Sequence, residues 1–386
     1  MLRNRLVFCL MTAGSLLLTG CPGDQPFAPV LGPDIQATGT PVPEASPTST
    51  PSPEATASPR GDAGLQLQYG QMPPNTWLAA APLVHGRGGV SAGAVSGTLF
   101  AIGGDSEATV EIYDAAQDAW RLSYLPPQGW NAPWTRARHF GAAVSSHGRI
   151  FYIGGSHNWV DDHVDVYHPE THQWLDAQDR NASSPWFQRT GMAAVASDGL
   201  ITLLGGEMAS ESALDGMAPS DSVVAFYPDV TTGWSELYNL APLPTPRAGL
   251  GAAVIDQRLF VVGGYSQKAL TGSPTATGSM LRYRTNSWAS TTPAGSPLAS
   301  LNTPRHSFGS AVLDGKWYVA GGVDSEGRVL DSVEVYDPVQ NVWTELTPMP
   351  TARAHLALAP LNGRLFALGG YDATGRTLRG VDVYRP

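Results

Sequence analysis

The sequence predicts an all-β fold of six four-stranded sheets set around a central axis, with a disordered tether ahead of it. Three repeated features predict it. Gly-Gly doublets stand at 103–104, 154–155, 205–206, 263–264, 321–322 and 369–370, each closing an apolar run: TLFAIGG, RIFYIGG, LITLLGG, RLFVVGG, KWYVAGG and RLFALGG. A second run with an aromatic at or near its end comes next: VEIYD, VDVYH, VVAFYP, LRYR, VEVYD and VDVYR. A tryptophan then follows in five units, at Trp120, Trp174, Trp234, Trp288 and Trp343. A period of about 53 residues, held six times, marks a repeat architecture rather than independent domains.

The N-terminus comes first in the chain. Arg3 and Arg5 precede an apolar stretch from Leu6 to Leu18, which is short for a membrane span. Leu18-Thr19-Gly20-Cys21 then resembles a bacterial lipobox. That resemblance implies cleavage after residue 20 and acylation of Cys21. Residues 1–20 are therefore read as a lipoprotein signal peptide, on an extracytoplasmic protein anchored at an outer membrane or cell surface. The only two cysteines are Cys9 and Cys21, so the folded part has no thiol for a disulfide, a metal or a nucleophile.

Residues 21–70 are the tether. Ten prolines fall between Pro22 and Pro59, and Phe27 is the only aromatic over that span. Such a segment cannot bury a core and stays extended. The net charge of −10, without a basic run, argues against nucleic acid and against charge-driven binding to anionic lipid.

Residues 71–386 carry the repeat. Within a unit, strand a is small and apolar, as in GAAV. A tight turn follows (Asp198-Gly199, Asp314-Gly315 or Asn362-Gly363), suited to positive φ. Strand b ends in Gly-Gly, strand c in an aromatic, and strand d begins at the tryptophan. The sixth unit stops at Pro386 without one, and NTWLAAAPLVHGRGG around Trp77 matches NVWTELTPMPTARAH around Trp343. The N-terminal strand is therefore expected to complete the last sheet and close the ring, which removes exposed edges.

These residues resemble the kelch family of β-propellers, across nearly all of 71–386. The resemblance implies a six-bladed propeller whose d–a and b–c loops share the usual ligand face. Unit three departs, with VVAFYP where an acid usually precedes the tyrosine. Unit four has Tyr283 only five residues before Trp288.

Sixteen residues before each doublet stands an arginine: Arg87, Arg138, Arg189, Arg247, Arg305 and Arg353. A guanidinium has five donors, so the six could be clamps between sheets. They could equally be an anion site at the mouth of the channel, since guanidinium pairs with carboxylate in a fork. The doublets themselves read as strand ends needing φ > 0. A phosphate loop would need a helix after the glycines, and none is predicted.

Four tryptophans lie outside the repeat: Trp130 and Trp134 in an enlarged d–a loop, Trp159 in a b–c loop, and Trp186 in the next d–a loop. Flat aromatics in loops suit a carbohydrate or a peptide, or a loop's own small cluster. Nearby stand His157, Asp161, Asp162, His163 and His139, a set that could hold a metal but also fits the repeat. The long b–c loop of unit three, with Glu207, Glu211 and Asp215, could cap the face.

The expected function is a monomeric binding module for a glycan or a protein or peptide, without cofactor, metal or catalytic residue. The alternative is a carbohydrate-active enzyme, because the resemblance extends to bacterial sialic-acid epimerases. It extends also to galactose oxidase, whose chemistry needs a cysteine linked to tyrosine, and no cysteine follows Cys21.

Overall fold

The chain divides into two units, Met1–Glu54 and Ala55–Pro386. The computed structural model describes residue 69 and residues 71–104, 109–123, 138–156, 160–174, 185–210, 216–229, 233–266, 277–282 and 286–386, all in the second unit. Among the described residues, that unit holds six four-stranded antiparallel sheets and one two-stranded ribbon. Blade 1 runs Ser91–Val95, Thr98–Ile102, Val110–Asp114 and Ala119–Leu122 as strands a to d. The a strands of successive blades touch one another in a closed circle, so strand a is innermost. Blade 6 is completed by Thr76–Ala80, paired antiparallel with Val381–Arg385 from Thr76↔Arg385 to Ala80↔Val381. No helix among the described residues is long and apolar enough to cross a membrane.

Alternation explains the burial. Strands b and c are covered on both faces, so runs such as LFAI and IFYI are wholly buried. Side chains from facing blades interlock: Leu99, Ala101 and Tyr113 of blade 1 pack with Phe366, Leu368 and Val383 of blade 6. Each large apolar side chain so buried contributes roughly 1.5–3 kcal/mol. The a–b turns are the expected kind, with Asp314 and Gly315 at φ 51° and 71°. Blade 3 carries a bulge after Phe226, which takes the tyrosine's buried place and leaves Tyr227 43 % exposed.

Neighbouring blades are joined at three radii. Outermost, a residue two before the tryptophan sits in the left-handed region: Asn75, Asp118, Asn286 and Asn341 at φ 54°, 46°, 44° and 53°. In blades 4, 5 and 6 this asparagine and the tryptophan together hold one residue of the preceding blade at both ends. Ala241 donates its N–H to Asn286 Oδ1 at 2.8 Å, and its carbonyl accepts Trp288 Nε1 at 2.8 Å. Ala299 is held likewise by Asn341 and Trp343, and Thr347 by Asn75 and Trp77.

At the middle radius, the second glycine of each doublet donates to the carbonyl of the next blade's arginine. Gly104 donates to Arg138, Gly155 to Arg189, Gly206 to Arg247, Gly264 to Arg305, Gly322 to Arg353 and Gly370 to Arg87, all at 2.8–3.0 Å. Innermost, a residue two past each arginine donates its N–H to its counterpart in the preceding blade. The circle runs Phe140 to Gly89, Gly191 to Phe140, Gly249 to Gly191, Ser307 to Gly249, His355 to Ser307 and Gly89 to His355.

The middle joint explains the doublets. Both glycines lie at positive φ, and a Cβ on the first would press into the next blade's arginine carbonyl. At Gly205 and Gly321 the gap would be 2.3 Å. We expect Gly321→Ala to cost more than about 3 kcal/mol, strain plus clash. Gly315→Ala meets nothing within 4 Å at φ 71° and should cost about 1 kcal/mol. Equal urea midpoints for the two variants would contradict the steric account.

Candidate functional site

The six arginines are buried, between 0 % and 5 % exposed. Each turns one terminal guanidinium nitrogen onto the carbonyl of the first glycine of its own blade. The distances are 2.7 Å for Arg87–Gly103, 3.3 Å for Arg138–Gly154, 3.0 Å for Arg189–Gly205, 3.1 Å for Arg247–Gly263, 3.0 Å for Arg305–Gly321 and 3.3 Å for Arg353–Gly369. The spacing of sixteen is thus the span of an a–b hairpin. A second bond ties the same group to the start of strand c, as at Thr109, Ser332 and Gly380.

Four of the arginines face a carboxylate. Glu111, Asp165, Glu334 and Asp382 occupy one position of strand c, opposite Ala101, Tyr152, Val319 and Ala367. Arg87–Glu111 and Arg305–Glu334 are ion pairs of 2.8 Å with both side chains fully buried. Glu334 also accepts the backbone N–H groups of Asn302 and Thr303, so its lone pairs are used. That matters, because a buried pair holds only where its remaining polar atoms are satisfied. Blades 3 and 4 put Val224 and Ser279 at that position. Among the described residues, Arg189 and Arg247 have no carboxylate partner, and burial lowers Arg189 to about 10 and Arg247 in the same direction.

The site proper lies at the innermost ring. Six residues there share the left-handed conformation. Three are glycine: Gly89, Gly191 and Gly249 at φ 66°, 60° and 62°. The other three are Phe140, Ser307 and His355 at φ 60°, 55° and 52°. Such a conformation costs a non-glycine residue about 1–2 kcal/mol, and it concentrates at functional sites. The ring borders a cavity of about 310 Å³ lined by all six a strands. Phe140, Glu207, Tyr265, Ser307 and His355 are among the side chains that line it, and none of the six arginines is.

Glycines make room for this mouth. The Tyr371 ring lies 2.1 Å from where a Gly88 Cβ would be, and the Phe140 ring 2.7 Å from a Gly89 Cβ. Phe140 thereby reaches His355, ring centroids 4.8 Å apart, and His139 at 4.5 Å. Tyr371 stands 5.8 Å beyond His355, and Tyr265 packs 5.0 Å from His306. His306 Nδ1 lies 2.9 Å from Ser307 Oγ, and the Tyr265 hydroxyl donates to Glu207 Oε1 at 2.7 Å. Above Gly191, by contrast, a Cβ would touch only Gly249 N at 3.6 Å. Among the described residues, aromatic rings wall one side of the mouth, and no side chain crowds Gly191 of blade 3.

The d–a and b–c loops meet at this mouth, through bridges His139↔Ser156, Thr190↔Glu207, His306↔Val323 and Ala354↔Tyr371. Of the loop tryptophans, Trp186 lies in a short 3-10 turn, Pro185–Phe187, and is 40 % exposed. Its carbonyl accepts Arg189 Nε at 2.8 Å. Trp130, Trp134, His157, Trp159 and Cys21 lie outside the described residues, as do Glu211 and Asp215. Glu207 begins a two-stranded ribbon, Glu207–Ala209 with Met217–Pro219.

The unit-two cluster is neutralised from within. Arg138 lies 3.0 Å from Asp161, and His163 Nδ1 lies 3.0 Å from Asp161 and 2.9 Å from Asp162. Burial would raise Asp161, but the His163 hydrogen bond and Arg138 outweigh it and hold it low. The same hydrogen bond raises His163 against the effect of burial. The three oxygen and nitrogen ligand atoms lie close enough to share an ion.

Phe140, His306, Ser307, His355, Tyr265 and Tyr371 are not among the sequence-derived candidates. Their signal is positional. Residues two past each arginine read Gly, Phe, Gly, Gly, Ser, His, and the departures from glycine mark the mouth.

Residues 187–370 match the family model described as the KLHDC2/KLHL20/DRC7 Kelch-repeats domain. F-box/kelch-repeat protein At1g67480 of Arabidopsis thaliana is 37 % identical over 112 residues, 28 % of this chain and 27 % of that protein. Spermatocyte protein spe-26 of Caenorhabditis elegans is 26 % identical over 204 residues, 52 % of this chain and 32 % of that one. Kelch-like protein 23 of Homo sapiens is 25 % identical over 246 residues, 63 % of this chain and 38 % of that one. The chain thus spans only 27 % to 38 % of the length of these relatives. The solved structure of YjhT has a TM-score of 0.62 at 14 % identity, covering 79 % of this chain and 96 % of that one. At that identity the likeness speaks for the fold.

Burial, with His306 and His139 alongside, pulls His355 from 6.5 down to about 4. Between those values the unfolded chain takes up a proton that the folded chain refuses. This contribution to stability is therefore complete above pH 6.5 and is lost as pH falls toward 4, by about 2–3 kcal/mol. His355→Asn, which tolerates the left-handed backbone, should flatten that part of the stability profile. An unchanged slope in urea titrations between pH 4 and 6.5 would show that His355 is not the group responsible.

Proposed function

The chain is a kelch-repeat β-propeller, and from that premise we propose that it is a peptide-binding module whose ligand enters the mouth between the d–a and b–c loops. One observation carries the reading. Phe140, Ser307 and His355 keep side chains at ring positions where glycine serves the other three blades at lower conformational cost. A backbone ring alone gives no reason to retain them. Their use lies in the cavity they border, which places aromatic and hydrogen-bonding groups from different blades within reach of one extended segment.

The same proposal holds the module to a bacterial membrane through acylated Cys21, with residues 21–70 as the standoff. Its support is the sequence pattern from Arg3 to Cys21 and the proline-rich run behind it.

Two experiments test these statements. Panning a displayed random 12-residue peptide library against the purified chain should enrich binders that Phe140→Gly and His355→Gly each weaken at least tenfold. Both variants should stay folded, because glycine already serves at Gly89, Gly191 and Gly249. Failure to enrich any peptide, or binders indifferent to both changes, would remove the peptide reading. For the anchor, palmitate labelling in a bacterial host should mark the chain and vanish in Cys21→Ser; label that persists would contradict acylation there.

A further inference from the structure

Arg87 and Arg247 take the same pose and differ at one atom. Arg87 places one terminal nitrogen on the carbonyls of Gly103 and Thr109, at 2.7 and 3.0 Å, and the other on Thr109 Oγ1 at 2.7 Å. Arg247 repeats this, on the carbonyls of Gly263 and Thr277 at 3.1 and 2.9 Å and on Thr277 Oγ1 at 2.9 Å. The remaining donor of Arg87, Nε, goes to Glu111 Oε1 at 2.8 Å. At the matching position of strand c, blade 4 has Ser279. Arg247 is 4 % exposed, and its Nε is sealed from solvent with no partner among the described residues. We propose that a small monovalent anion of the size of chloride binds at this joint, in the role that the strand-c glutamate has in blades 1 and 5. The proposal is independent of the peptide reading.

Those two blades show what the place is built to hold. Glu111 accepts the backbone N–H groups of Val84 and His85 as well as Arg87. Glu334 likewise accepts Asn302, Thr303 and Arg305. Each joint is a set of donors converging on one negative charge. Three and two residues before Arg247 stand Pro244 and Thr245, so blade 4 keeps one of the two backbone donors. Its donor set is then the Thr245 N–H, the Ser279 hydroxyl and Arg247 Nε. Residues 267–276 and 283–285 of the same blade contain no aspartate or glutamate to serve instead.

An anion suits the place better than water. A buried guanidinium without a counter-charge is costly, and a water supplies the hydrogen bond but not the charge. Pro244, Thr245 and Pro246 are exposed, which gives a small ion a way in at that turn. Blade 3 offers no such place. Its strand c has Val224 at the matching position, but Arg189 Nε already donates to the Trp186 carbonyl at 2.8 Å.

The test uses the full chain. Urea unfolding is followed at constant ionic strength while chloride replaces gluconate, an anion too large for the joint. The midpoint should rise with chloride and then level off. At ten times its dissociation constant, chloride should lower the unfolding constant about tenfold. Ser279→Glu supplies the carboxylate that blades 1 and 5 carry, so it should abolish the chloride response. A midpoint indifferent to chloride in the unaltered chain overturns the inference. So does a response that survives in folded Ser279→Glu. Should that variant not fold, crystals of the unaltered chain grown in bromide decide the matter. Anomalous density beside Arg247 Nε supports the site, and density only elsewhere, or none, overturns it.

Discussion

The joint between an arginine and two glycine doublets is the contact on which the ring depends. Each arginine is used at both ends. Its guanidinium closes its own blade onto the first glycine's carbonyl, and its backbone carbonyl accepts the preceding blade's second glycine. The same residue thus sets the curl of a hairpin and the distance to the next sheet. Both glycines must be glycine: a Cβ on the first would press into the next blade's arginine carbonyl, and one on the second into the start of strand a in its own blade, as at Thr190 for Gly206. The last joint, Gly370 to Arg87, is made like the other five, so ring closure needs no special device at this radius.

That redundancy lets the innermost ring depart from symmetry. Six backbone hydrogen bonds hold the left-handed residues in place, whatever side chains they bear. Three non-glycine residues there cost about 1–2 kcal/mol each, small beside the packing of six blades. Phe140 and Tyr371 then fill the space that Gly89 and Gly88 leave, giving one aromatic wall. Asymmetry of this kind distinguishes a site from a repeat.

Much of the fold was legible in the sequence because the repeat states it six times. Doublets, c-strand aromatics and tryptophans marked strands b, c and d, and Trp77 marked the strand that completes blade 6. Local departures were harder. The bulge in blade 3 moves Phe226 into the buried place and Tyr227 out, a one-residue shift that composition does not reveal. The mouth was hardest. Phe140 and His355 differ from other aromatic residues only in standing where their counterparts are glycine, and the reason for that glycine is a φ angle. The arginines drew attention for the opposite reason, being invariant across the units. Invariance within a repeat follows from the joint that every blade must make.

Charge follows the same division. Four blades answer their arginine with a carboxylate on strand c, while Val224 and Ser279 leave Arg189 and Arg247 to carbonyl and hydroxyl acceptors alone. A buried guanidinium without an anion needs other acceptors, and the terminal nitrogens of Arg189 and Arg247 find them in doublet and strand-c carbonyls and hydroxyls, while among the described residues Arg247 Nε has no partner. One acidic residue of blade 3, Glu207, sits one residue past the doublet and on the cavity wall. A carboxylate on strand c would be consumed by the joint. Placed one residue past Gly206, Glu207 instead accepts the Tyr265 hydroxyl of blade 4.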